Sequence, residues 1–388
     1  MSTANRWVLL GMTWCVALNL RSSSMSVSPL LPLIKNDLAL SYATTGFLFS
    51  IPTVGMAVFG MPGGWLADTL GTKRTLALGL VTILAGSALR ATATGFLSLV
   101  LWTGLMGAGM GISGPGLTRL VKERFSDLPG TATGIYTSGL ITGASLGSWL
   151  TVPYLLQWSG SWRATFLVWS GVACLTLLGW LLLAPAGAPP GGGSLPQLSG
   201  IWRDKTVWKL NTVFLLHNLF FYCVASWIPT YYHELGMTLQ GGTLLLTLFM
   251  LVGLPSCLAI PYLSDRFGGR RAGILASNLI IIPTLLAMTF FPLAAPLVYV
   301  LIMGFSSGGI FALTFALPLD YVEPEKVGSV AGANFLVGYS GAFLGPLLMG
   351  LVHDWTASVT AAWLVVLVIL AALMVTTLSL PRKPVGAR

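Results

Sequence analysis

The chain has 388 residues, of which 55% are hydrophobic and only 8% charged, with a formal net charge of +9. Soluble domains carry about 25% charged residues, so too few charges are present here to cover a water-facing surface, and the chain reads as a polytopic membrane protein. The positive balance does not point to nucleic acid, because the basic residues form no single patch and recur in short clusters between apolar runs.

Twelve apolar runs of spanning length follow one another, at about residues 7–33, 43–66, 75–94, 96–119, 131–156, 162–184, 208–231, 242–263, 272–291, 295–318, 328–351 and 358–380. The first is too long for a signal-peptide core, so no cleavable leader is expected. It also carries Arg21 near its middle. An arginine at bilayer depth costs roughly 3 kcal/mol on insertion scales, so it is expected to face a partner, a cavity or a ligand. Arg21, Ser24 and Ser28 share one helical face, and Asn19, Ser22, Ser23 and Ser26 form an adjoining polar face. The functional reading is a cavity wall on which Arg21 holds an anion through its forked donors. The alternative is a structural arginine satisfied by backbone carbonyls.

The second and third runs are joined by GGWLADTLGTKR, which contains Gly64, Asp68, Gly71, Lys73 and Arg74. Gly104, Gly107, Gly109 and Gly111 in the fourth run, and Gly139, Gly143 and Gly147 in the fifth, read as tight helix contacts. Tyr136 in the fifth run is either cavity lining or an interfacial anchor. Residues 184–200 are rich in Pro, Gly and Ser and lack periodicity, which predicts a linker. The expected organisation is a six-helix bundle at 1–184, a cytoplasmic linker at 185–206 and a second six-helix bundle at 207–388.

Beyond the linker, the seventh run carries His217, Asn218 and Tyr222, near the positions equivalent to Asn19 and Arg21. For His217 a neutral packing role and a proton-coupling role stay open. The loop after the eighth run, IPYLSDRFGGRR, contains Asp265, Arg266, Gly268, Arg270 and Arg271. The eleventh run supplies Asn334, a deep amide that needs a partner, and Tyr339. Asp68 and Asp265 stand 197 positions apart, as do Gly71 and Gly268 and also Pro32 and Pro229. Such a parallel repeat places a binding site between the repeats near the midplane.

Most Lys and Arg residues fall at run ends on one side, whereas Lys35, Arg90 and Arg163 fall at the opposite ends. The bias predicts a multi-pass protein of the cytoplasmic membrane with both termini inside. The four cysteines, Cys15, Cys174, Cys223 and Cys257, lie in apolar runs without metal-ligand spacing. No nucleotide-binding loop or nucleophile–base spacing is visible, so neither a cofactor, a metal nor an enzymatic activity is expected.

The paired loops resemble the signature of the major facilitator superfamily, Gly-x-x-x-Asp-Arg-x-Gly-Arg-Arg/Lys between helices two and three. Gly64, Asp68, Gly71, Lys73 and Arg74 match in the first half, and Asp265, Arg266, Gly268, Arg270 and Arg271 in the second. Thr69 and Thr72 depart from the pattern, and Pro261 replaces the second leading glycine. The resemblance implies an all-α fold of twelve transmembrane helices in two pseudo-symmetric bundles. It also implies alternating access, with the Asp68 and Asp265 loops gating the cytoplasmic side.

ALNLRSSSMSVSPLLP and LVKERFSDLPGTATGIYTSG are similar to segments of the cyanate and nitroimidazole porters within that superfamily. The implied cargo is a small anionic or polar solute, with Arg21, Asn19, Ser24, Tyr136, His217, Asn218, Tyr222, Asn334 and Tyr339 as candidate binding residues. The expected partners are that solute and the lipid bilayer, with a monomer as the functional unit. The fourth-helix arginine of the superfamily is absent, and Gly143-Ala144 replaces the Gly-Pro of its antiporters. Export of a neutral drug-like compound, with Arg21 structural, is the alternative, and a channel ranks behind it.

Overall fold

The computed structural model describes residues 3–185, 203–267, 269–322 and 327–381. Most of the expected linker, and Gly268, lie outside these residues. Among the described residues there are helices and turns but no strand. Nine helical segments are long and apolar enough to cross a membrane by length and composition alone. Helices α1 (Thr3–Met25), α4 (Thr72–Arg90) and α6 (Pro129–Leu150) have spanning length but more polar faces, and they complete the twelve expected spans.

Prolines set the irregularities. The first span breaks between α1 and α2 (Leu31–Asp37) at a 3-10 turn, Ser28–Leu30. Pro29 has no N–H to give the Met25 carbonyl, and its ring clashes with that carbonyl. The amide of Val27 accordingly bonds to Ser24 O at 3.3 Å, and Ser23 O is released from the helical ladder. The chain continues through α3 (Tyr42–Leu70) and α5 (Phe96–Arg124). After α6 it passes through a π turn, Thr151–Leu156, that contains Pro153. The short α7 (Gln157–Ser159) and α8 (Trp162–Leu183) complete the first six spans.

The later spans are α9 (Lys205–Glu234), then α10 (Leu239–Leu251) with α11 (Gly253–Phe267), α12 (Gly269–Phe290) and α13 (Pro296–Ala316). A short α14 (Pro318–Tyr321) precedes α15 (Val327–Thr356) and α16 (Val359–Leu378). α9 runs unbroken past Pro229, because Ser226 stands where the repeat would place Pro29.

Two compact units emerge. The first holds α1, α2, α3 from Ile51 onward, α4 to α8, and Met237–Thr247. Within it, the hydroxyls of Ser148 and Thr247 lie 2.7 Å apart. The second holds Ser41–Ser50, α9, α10 from Leu248 onward, and α11 to α16. Within that unit Asp354 accepts the first two amides of α3, from Tyr42 at 3.0 Å and Ala43 at 2.8 Å. Tyr42 also donates to Glu234 at 2.6 Å and stacks on Trp227.

Packing inside each unit repeats. On α6, a β-carbon at Gly139, Gly143 or Gly147 would strike the carbonyls of Trp14, Leu18 and Ser22 on α1. On α15, one at Gly341 or Gly345 would strike the carbonyls of Leu215 and Leu219 on α9. Lipid offers apolar groups as good an environment as another helix does, so spans associate through close backbone approach rather than through hydrophobicity. These glycine stripes supply that approach at equivalent places in both halves.

Candidate functional site

In the first unit, the polar turn before the break in the first span collects the candidates. Asn19, Ser22, Ser23, Ser24, Ser26 and Ser28 are all buried, whereas Arg21 among them is part-exposed. The Asn19 amide donates to Cys15 O at 3.1 Å and to the Thr176 hydroxyl of α8 at 2.5 Å. That side chain therefore ties α1 to α8. Tyr136 of α6 packs against the apolar core of the unit.

The back of this turn is held by a residue that the charge pattern marked only as an outer-end cation. Arg90, at the end of α4, is fully buried. Its two terminal nitrogens each donate to Ser23 O at 3.2 Å, and one also donates to Ser23 Oγ at 2.5 Å. The guanidinium lies 4.1 Å over the ring of Phe166. No carboxylate pairs with it among the described residues. A buried cation without a counter-ion carries a heavy desolvation cost. Here it is offset by a carbonyl released from the helical ladder, the negative end of the α1 dipole and an aromatic face.

In the second unit, the candidates lie on α9 and α15, the pair joined by glycines. His217 is fully buried, 6.4 Å from the ring of Phe311, and neither ring nitrogen has a hydrogen-bond partner among the described residues. Asn218 Nδ2 and Asn334 Oδ1 are also unmatched, as are both amide atoms of Asn211 and of Asn278. A buried polar atom left unmet costs about 1–3 kcal/mol, so this unit holds a concentration of unused hydrogen-bonding capacity. Tyr222 and Tyr339 are buried on the same two helices. Sequence reading missed Asn211 and Asn278, although each is an amide inside an apolar run.

The loop motif acts inside each unit. Arg119 of α5 forms an ion pair with Asp68 at the end of α3. Arg119 also bridges to Glu123, which accepts from Thr72 of α4 at 2.9 Å. In the second half Asp320, 197 positions after Glu123, pairs with Arg270 of α12. Burial raises the Asp320 carboxyl above its ordinary range, against the pull of Arg270. Ala316 stands where Arg119 would repeat, and Asp265 makes no ion pair among the described residues. Arg266 lies over the ring of Tyr262, and Arg74 is exposed.

Lys73 caps the end of α8 through Leu181 O at 3.1 Å and Ala184 O at 2.5 Å. Arg271 caps α16 through Thr377 O at 3.1 Å and Leu378 O at 2.8 Å. Both cations sit where the last orphan carbonyls of a helix concentrate negative potential. The tight backbone contact at the end of α3 belongs to Gly63, against Gly111 and Ile112; Gly64 meets only Pro115 Cβ at 3.8 Å. Among the described residues of the two loops, the glycines with positive φ are Gly71 at 79° and Gly269 at 81°.

Two repeated six-span sets, broken proline-containing helices and polar turns buried among apolar ones define a membrane transporter rather than an enzyme. The model of the Major Facilitator Superfamily matches residues 12–346, and the chain belongs to that family. Among its relatives, the uncharacterized transporter YycB of Bacillus subtilis is 30% identical, over 95% of this chain and 91% of that protein. The cyanate transport protein CynX of Escherichia coli is 25% identical, over 94% of each chain. The 2-nitroimidazole transporter of Escherichia coli is 28% identical, over 91% of this chain and 90% of its own. A solved bacterial homolog of the human lysosomal transporter Spinster shares the fold, with a TM-score of 0.81, 17% identity and 97% coverage of both chains.

Proposed function

We propose that the protein moves a small anionic or polar solute, cyanate-like or nitroimidazole-like, across the cytoplasmic membrane by alternating access. Arg21 is the anchor for that solute on the first unit, with Ser24 beside it and Asn19 and Tyr136 supporting the helix pair. His217, Asn218, Tyr222, Asn334 and Tyr339 orient the solute from the second. The loops at Asp68 and Asp265, with Gly64, Gly71, Arg74, Arg266, Gly268 and Arg271, form the cytoplasmic gating motif. Both termini are cytoplasmic, and the monomer is the working unit.

The observation that carries the reading is the part-exposed Arg21 on an otherwise buried polar turn, just before a break in its span. Discontinuous spans are where transporters of this kind place solute-binding groups. The names of the relatives support the solute class.

Proteoliposome uptake of labelled cyanate and of 2-nitroimidazole tests this reading. Saturable uptake that Arg21→Ala abolishes, and that Arg21→Lys restores only weakly for want of a fork, is the expected result. Full uptake by Arg21→Ala would overturn the role of Arg21. It would favour export of neutral compounds with Arg21 structural, a reading to which Arg90 lends weight as a buried arginine whose terminal nitrogens are held by a carbonyl.

A further inference from the structure

Pro29 removes the ladder partner of the Met25 carbonyl, the amide of Val27 bonds to Ser24 O rather than Ser23 O, and Arg90 donates to Ser23 O through both of its terminal nitrogens. The hydroxyl of Ser26 donates to the same carbonyl at 2.9 Å, and the hydroxyls of Ser23 and Ser87 lie 2.7 Å apart. Ser23 follows Arg21 by two residues, which places it about 200° around the helix. A grip on Ser23 therefore holds the turn from the side away from Arg21 and sets the rotation at which Arg21 and Ser24 are presented.

The second half supplies an internal comparison. Positions equivalent to Arg21, Ser23 and Pro29 are Asn218, Phe220 and Ser226, and neither Ala287 nor Met288, where Arg90 would repeat, carries a charge. The half without the cation at the equivalent of Arg21 has neither the break nor the buried arginine. All parts of the device occur together or not at all.

We infer that Arg90 is a positioning residue: from behind, it locks the broken end of the first span so that Arg21 meets solute in one orientation. This rests on the proposed role of Arg21 in binding. Arg90 touches no solute itself. A point charge on a single stem cannot reproduce two planar donors converging on one carbonyl with a third bond to the neighbouring hydroxyl, so lysine at position 90 loosens the turn while keeping the charge. Binding groups must be held within about 10–20° to work, so the loosening reaches Arg21.

The test has two arms. In a background with Cys15, Cys174, Cys223 and Cys257 replaced by serine, Arg21→Cys is labelled by a water-soluble cationic methanethiosulfonate. Adding Arg90→Lys, or Arg90→Leu where that variant stays folded, is expected to change the labelling rate by about threefold or more. Phe166→Leu removes the stacked ring but leaves the fork, and should leave the rate unchanged. In the second arm, Arg90→Lys with native Arg21 should raise the KM for cyanate uptake several-fold while lowering the maximal rate much less.

An unchanged labelling rate in folded Arg90→Lys overturns the inference. So does an equal change with Phe166→Leu, which would mean general loosening. The labelling arm needs no solute, so a failure of the binding role of Arg21, seen as undiminished uptake by Arg21→Ala, is separable from a failure of the lock.

Discussion

Gly143 of α6 lies against the main-chain carbonyl of Leu18 on α1, with no room between them for a β-carbon. The same relationship recurs between Gly341, 198 positions after Gly143, and Leu215, 197 positions after Leu18. Overpacking a tight contact by one methyl costs about 1–3 kcal/mol. Gly143→Ala and Gly341→Ala should each lower the melting temperature in detergent, whereas Gly171→Ala, with open space around it, should not. Equal melting of all three would contradict the packing assignment.

The Arg119–Asp68 pair is part-exposed, so Asp68→Asn should alter thermal stability by about 1 kcal/mol or less. Its effect is expected on transport instead: a lower maximal rate with little change in KM, because neither residue touches solute in the proposed mechanism. Uptake kinetics read the split, and an effect confined to KM would argue against a gating role.

Arg6 holds the carboxyl of Asp127 below its ordinary value of 3.8, chiefly through their hydrogen bond. A carboxylate depressed by folding contributes stability that is complete above its unfolded pKa and is lost as pH falls through the folded value. Asp127→Asn should therefore melt below the parent at neutral pH, and the gap should close as the pH drops below that of an ordinary carboxylate. Melting curves across an acid series check the sign, and a gap that widens on acidification would refute it.

Asp354 braces the start of α3 by accepting two amides at a helix N-terminus, an arrangement worth about 0.3–1 kcal/mol at an exposed position. Removing the charge with Asp354→Asn should speed amide hydrogen exchange in the peptide that begins at Ser41. Exchange in the glycine-packed segment around Gly143 should stay as it was.

The spans, the repeat and the loop motif were legible because each depends on local order: runs of apolar residues, a fixed offset, glycines at one helical spacing. The loop motif marked Asp68, but its pairing with Arg119, 51 positions away, comes from the fold. Asn19 was less readable. Its amide nitrogen donates to Thr176, 157 positions away, while its amide oxygen has no hydrogen-bond partner among the described residues. The motif spacing picked Gly64, four residues before Asp68, and only the path of α5 gives the close contact to Gly63.

From sequence alone follow a membrane-embedded, all-helical chain of twelve spans in two repeated halves. Those properties come from hydropathy and backbone chemistry, which neighbouring residues settle among themselves. The tertiary structure alone decided the surroundings of the two arginines. In sequence Arg21 lies near the middle of its run and Arg90 at an outer end, yet Arg21 is part-exposed and Arg90 is the one sealed against Ser23 and Phe166. The reason is physical: the cost of a buried charge is met by a carbonyl and a ring from helices 67 and 76 positions away in the chain, and no local pattern encodes where those groups meet.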